Sequence, residues 1–254
     1  MPHFCVAHPR QDGKVRLAFG MMQTTMTDSL SFEQLEAIRR LDTCIVANAI
    51  ETFHVRMRNE GFANASIRCV ASWSPNMLGY AVTARVCTSS PPISNRPYPE
   101  RTDWWSYVLS MPAPRVLVLQ DVDEKPGFGA LVGEVQGNIS LALGCVGVVT
   151  NGAVRGIGQA PGLHLFAGNL TVARAYAHIV EFGTPVEIGG LPVAPGDLLH
   201  GDCHGVHSIP IEMAAEIPDA VERVLEKERK VIGLCRSPEF SMEKLRAAVE
   251  QLYS

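Results

Sequence analysis

Apolar and polar positions change their spacing several times along the chain, and each spacing predicts an element. Residues 1–30 keep no sustained period and are rich in Gln, Thr, Met and Gly, which reads as an extended arm. Ser31-Phe32-Glu33-Gln34 then has the shape of a capping box, with Gln three residues after Ser. Leu35, Ile38 and Leu41 follow at helical spacing, and Ile45, Ala49 and Phe53 put a second helix over 44–54. Residues 77–90 alternate apolar and polar, which reads as a strand. Four prolines in 91–102 predict a loop, and 102–111 a short helix capped by Thr102 or Asp103.

The middle of the chain changes register again. Residues 115–123 form a continuous apolar run that ends in acids. A glycine-rich loop running into a helix follows over 127–145, and then a second apolar strand over 146–152. Strand, loop, helix, strand and glycine turn in that order predict an α/β fold with strands buried on both faces. Short strands follow at 163–169, 178–190 and 191–210, with Pro195-Gly196-Asp197 as a turn. Two helices, 212–233 and 238–252, end the chain, and the highly charged 219–229 stretch reads as a solvated face. With no repeat and no linker, 31–254 is expected to be one domain with a helical extension.

Composition narrows the partners. Apolar residues make up 46% and charged residues 19%, and the net charge is −4 with no block of like charge. Neither a nucleic acid nor an anionic membrane is implied. No apolar run approaches the roughly 18 residues of a membrane span. The start, Met1-Pro2-His3-Phe4-Cys5, lacks a secretory pattern, so a cytoplasmic home is expected. The seven cysteines are scattered, without a C-x-x-C, which argues against a disulfide framework or zinc ribbon. Cys44 and Cys145 read as small core residues.

The candidate chemistry lies in the two glycine segments. Gly152, Gly156 and Gly158 follow a strand, as in a dinucleotide-binding turn. Gln159-Ala160-Pro161-Gly162 is a poor helix start, however, and no Tyr-x-x-x-Lys pair is present. An anion-binding turn fits better. Gly127 to Glu134 opens a helix, whose free N–H groups and dipole suit a carboxylate. If the two strands are neighbours, Arg155 reaches the same anion, with Glu134 beside it as a proton-transfer group. The Gly129–Gln136 amides are the expected cradle, and Gly133, Glu134, Val135, Gln136, Asn151 and Arg155 the substrate-binding set, with Arg155 and Glu134 catalytic.

Glu134, twenty intervening residues and Arg155 in "NGAVRG" resemble the signature of the RraA-like family. That family contains regulator of ribonuclease activity A and the metal-dependent 4-hydroxy-4-methyl-2-oxoglutarate/oxaloacetate aldolases. "DTCIVANAIE", "GEVQGNISLALGCVGVVTNGAVRG" and "VAPGDLLHGDCHGV" extend the resemblance from about Leu41 to Lys230. It implies a β/β/α swivelling-type domain, homotrimers or hexamers with sites between subunits, and a lyase acting on a small keto-acid by retro-aldol cleavage or oxaloacetate decarboxylation. It also implies Mg²⁺ or Mn²⁺, anchored by an aspartate directly after the arginine.

Here that position is Gly156, the aspartate that opens the turn is Asn151, and the alternative acid position is Gln159. Glutamate 134, Asp202 and Glu228 are the remaining metal candidates. The alternatives are a non-catalytic regulatory or binding protein, and a relative with metal-independent chemistry. His200 and His204 have metal-ligand spacing, but on a strand they lie about 13 Å apart. His164 and His178 read as partly buried, satisfied histidines, and Trp104 and Trp105 as core or interface packing.

Overall fold

The computed structural model describes residues 30–253, so the expected arm, apart from Leu30, lies outside the described residues. Two helices come first, α1 (Phe32–Arg39) and α2 (Thr43–Glu51). The capping box on α1 is formed: Ser31 Oγ accepts the Gln34 N–H and the Gln34 side chain accepts the Ser31 N–H. Then come β1 (Arg68–Ala71), β2 (Met77–Cys87), α3 (Arg101–Ser110), β3 (Arg115–Asp121), β4 (Ala130–Val132), α4 (Glu134–Ala142) and β5 (Cys145–Val154). The second half holds β6 (His164–Leu170), β7 (His178–Phe182), β8 (Val186–Ile188), β9 (Leu191–Val193), β10 (Leu198–Asp202) and β11 (Gly205–Ile209). A 3₁₀ turn at Ile211–Glu216 leads into α5 (Ile217–Cys235), followed by α6 (Met242–Tyr253).

The strands form one mixed sheet in the order β1-β6-β5-β3-β2-β10-β11, with β4 added on β5, β7 on β2, and β8–β9 as a separate hairpin. Strands β2, β3, β5 and β6 run parallel, so their C-terminal ends share one edge. The architecture is the expected α/β arrangement, and it is covered on both sides. Helices α1, α2 and α5 bury Ile38, Val46 and Ile217 against β2 and β10. Trp104 and Val108 of α3 pack on Leu117, Leu119 and Val148. The β8–β9 hairpin covers Val116, Val118 and Phe166. Each such fully buried side chain contributes about 1.5–3 kcal/mol.

Several expectations are corrected. The expected strand in 77–90 forms as β2 and is buried on both faces, because a helical layer and the β8–β9 hairpin sandwich it. The cap of α3 is Glu100, without a side-chain hydrogen bond, rather than Thr102 or Asp103. Cys145 is a core residue as expected, but Cys44 is exposed. The turn at Pro195-Gly196-Asp197 forms, with Asp197 accepting from the Ala194 N–H. His200 and His207 face each other across the β10–β11 hairpin, which is the expected strand-turn-strand. No helix among the described residues is long and apolar enough to cross a membrane.

Candidate active site

The C-terminal edge of the parallel strands is where a ligand crevice forms in open α/β sheets. A cleft of about 880 Å³ lies there, lined from α3 (Arg101, Trp104, Trp105), the α4 N-terminus (Gly133 to Gln136), the turn after β5 (Arg155, Gly156, Gln159), and the segment from Thr171 to Ile179. The two glycine segments do meet, because β3 and β5 are parallel neighbours and β4 also pairs with β5.

Close approaches set the local geometry. A Cβ on Gly133 would stand 3.1 Å from both Cγ and Nε of Arg155, so the arginine stem lies directly over the cap of α4. A Cβ on Gly137 would stand 2.9 Å from Ala160 Cβ, and Asn138 Nδ2 donates to the carbonyls of Glu134 and Gln159. The helix start and the turn are thereby held as one unit. The intrahelical ladder begins with the Gly137 N–H on the Gly133 carbonyl. The preceding first-turn amides of Glu134, Val135 and Gln136 are left for a ligand. The expected cradle is shorter than Gly129–Gln136, because the Gly129 N–H already donates to Thr88 Oγ1 and the Ala130 N–H to the Ala173 carbonyl.

The electrostatics are lopsided. Arg101, Arg155 and Arg174 line the cleft, and among the described residues none forms an ion pair. Arg101 sits in the first turn of α3, where the helix dipole disfavours a cation. Arg155 sits over the positive end of α4. Glu134 is the one carboxylate in the lining. Like charges held together without counter-ions suit an anionic ligand.

Under the cleft a carboxylate knot holds the strand ends. Asp123 accepts from Thr88 N and Ser89 N, both at 2.8 Å, and from Cys87 Sγ, Thr88 Oγ1 and Ser89 Oγ. Its carboxyl lies far below the usual range because these donors outweigh desolvation. Asp121 accepts from Gly127 N and Asp123 N, and burial pushes its carboxyl up.

The remaining candidates fall elsewhere. Asn151 is not in the cleft lining: its Oδ1 accepts the Asp121 N–H and its Nδ2 donates to the Asp121 carbonyl, so both ends of the amide tie β5 to β3. Glu228 is on α5, accepting from Asn48 Nδ2 of α2. Asp202 sits at the β10–β11 hairpin and pins α2, accepting from Thr43 N, Thr43 Oγ1, His204 N and His204 Nδ1. Among the described residues it also belongs to the one His/Cys/Asp/Glu grouping close enough to hold a metal, with Cys203 and His204, although its oxygens are already taken. Glu134, Asp202 and Glu228 therefore do not converge.

Sequence reasoning missed Arg101, Arg174 and His178 as cleft residues. Arg101 carried a signal, a cation placed against a helix dipole. Arg174 carried none. Trp104 and Trp105, expected only to pack, also line the cleft.

Comparison with known proteins agrees with this architecture. A family model described as RraA-like, Aldolase/RraA, matches residues 43–207. A Halalkalibacterium halodurans relative, whose name places it among 4-hydroxy-4-methyl-2-oxoglutarate aldolases, is 33% identical over 104 residues, 40% of this chain and 46% of its own. The match thus spans about half the length of that curated relative. An uncharacterised protein from Pseudomonas syringae pv. tomato superposes with a TM-score of 0.66 at 20% identity, over 87% of this chain and 95% of that one. Streptomyces coelicolor RraAS2, described as an unusual member of the RNase ES inhibitor RraA protein family, superposes with a TM-score of 0.60 at 19% identity, over 80% and 97%.

Proposed function

This chain belongs to the RraA-like family, and from that premise we propose that its cleft binds a small keto-acid and breaks a carbon–carbon bond in it, as a lyase. The observation that carries the reading is three guanidiniums, without ion-pair partners among the described residues, and an open helix N-terminus around the one carboxylate that the described lining holds. Arg155 and the Glu134–Gln136 amides hold the 2-oxo-carboxylate end. Arg101 and Arg174 suit a second acid group at the far end of the cleft. Breaking the bond turns the keto-acid into an enolate, and the charge gathering on its oxygen falls beside Arg155 and the helix dipole. Preorganised donors of this kind lower such a barrier.

The Mg²⁺ or Mn²⁺ implied by the family resemblance does not fit the residues present. Gly156 offers no side-chain donor atom. A Cβ there would stand 3.1 Å from Glu134 N, with Gln159 Oε1 at 2.6 Å, so the place a ligand side chain would occupy is crowded by a neutral amide. Asn151 is spent on Asp121, and Glu134 is the sole carboxylate in the lining. A divalent ion held by one carboxylate among three guanidiniums is poorly ligated.

The missing donor at residue 156 favours one second reading, a binding protein that takes up a carboxylate without turning it over. Titration with pyruvate and oxalate, followed by the fluorescence of Trp104 and Trp105, separates the two readings when run beside a pyruvate-release assay. Binding with release supports the lyase, binding alone supports the second reading, and neither result leaves either standing. Val135 and Val172, at the cleft, are 73% and 94% exposed, which supports a homotrimer or hexamer closing over it. Light scattering in solution tests the assembly.

A further inference from the structure

A retro-aldol step moves one proton, and the cleft lining holds a carboxylate and an imidazole suited to carry it near neutral pH, Glu134 and His178. They differ in how they are held. A proton carrier works when a second group fixes its orientation. Among the described residues nothing holds the Glu134 side chain, which is exposed. His178 is half-buried and oriented from two sides: its Nδ1 lies 2.7 Å from the Tyr176 carbonyl oxygen, and its ring stands edge-on to Tyr98 at 4.9 Å between centroids. A carbonyl only accepts, so in the neutral imidazole Nδ1 carries the hydrogen and Nε2 keeps the lone pair.

Topology puts this ring at the right edge. His178 opens β7 and pairs with Cys87, the last residue of β2. The C-terminal end of β2 lies on the same edge as those of β3 and β5, so His178 enters the cleft that Arg155 enters from the β5 turn.

We infer that His178, through Nε2, is the proton-transfer residue of this cleft, an inference that rests on the lyase reading above. The step balances without a metal or co-reactant. Nε2 takes the proton of the substrate's C4 hydroxyl, and that O–H electron pair becomes the new C=O bond. The C3–C4 pair becomes the enolate, with its charge on the C2 oxygen beside Arg155. The imidazolium then returns the proton to C3, leaving pyruvate and a carbonyl product. Such a residue contributes about 10²–10⁴-fold to rate.

The test uses the full chain and its half-reaction, exchange of pyruvate C3 protons for deuterium in D₂O followed by ¹H NMR. Oxalate binding and the thermal midpoint serve as controls. In His178→Ala exchange falls at least 100-fold, oxalate affinity and the midpoint stay as in wild type, and added imidazole restores part of the exchange. His178→Gln shows the same loss. Wild-type exchange persisting in His178→Ala overturns the inference and leaves the lyase reading intact. Lost exchange accompanied by lost oxalate binding, with no rescue by imidazole, assigns His178 a purely structural place and also overturns it. Wild-type protein that neither exchanges pyruvate nor cleaves a 4-hydroxy-2-oxo acid removes the lyase reading itself, and this inference with it.

Discussion

Acidification from pH 7.5 to 5.5 is predicted to weaken the fold through three buried histidines. His164 and His200 are fully buried and His207 nearly so. Burial is the main cause that pushes His164 and His200 down to about 4, and His207 is also pushed well down, by burial and then by the adjacent His200. His200 Nδ1 lies 3.1 Å from His207 Nε2, while the outer nitrogens of both rings, and Nε2 of His164, have no hydrogen-bond partner among the described residues. A second proton on any of these rings would be buried, and although Asp202 favours the charged form of His200 and His207, burial outweighs it. In the unfolded chain each titrates near 6.5, so their contribution is fully present above that value. As pH falls toward 4 the unfolded state takes up protons that the folded state refuses, and stability drops. His164 and His200 then each cost about 1.3 kcal/mol at pH 5.5, about 2.6 kcal/mol together, and His207 adds to the loss in the same direction. That is a large share of a typical 5–15 kcal/mol. The buried carboxyls of Asp121 and Asp197 are pushed up and oppose the loss as pH falls further. Urea unfolding at pH 7.5, 6.5 and 5.5 measures the slope, and His164→Asn should lower it by close to one proton. Unfolding free energies that agree within about 1 kcal/mol across this range refute the reasoning.

Other perturbations probe the site and its frame. Arg155→Ala should weaken oxalate binding at least 30-fold by calorimetry while moving stability by less than about 0.5 kcal/mol, because the guanidinium has no ion-pair partner among the described residues. Asp202→Ala should lower stability by about 3 kcal/mol and the melting temperature by about 6–12 °C, since Thr43 and His204 lose their buried acceptor. Gly156→Asp is strained at φ +66° and must displace the Gln159 side-chain end, but aspartate adopts this backbone more readily than most residues. Its carboxylate would compete for the α4 amides, so metal-free oxalate affinity should fall about tenfold, and Mg²⁺ or Mn²⁺ should restore it.

Much of the frame was readable in the residue pattern, because it rests on local rules. The Ser31 capping box, the apolar runs of β3 and β5 and the Asp197 turn are each specified within a few residues. Arg155 and the α4 start were placed together by one assumption, that two apolar strands lie side by side. The rest depended on long-range packing. The β2 pattern announced a strand but not which elements, such as the distant β8–β9 hairpin, would cover its faces. Asn151 was ambiguous because a side-chain amide serves a ligand or a backbone equally well, and Asp121 decides which. Arg174 and His178 reach the cleft only because β7 pairs back onto the end of β2, and nothing in their own segment announces that pairing.

The most direct test is pyruvate release from 4-hydroxy-4-methyl-2-oxoglutarate and from oxaloacetate, measured in EDTA and again with Mg²⁺ or Mn²⁺, for the wild type and Arg155→Ala. The account predicts that the wild type releases pyruvate in EDTA and that Arg155→Ala does not. No release under any condition, release only when metal is supplied, or equal release by Arg155→Ala would contradict it.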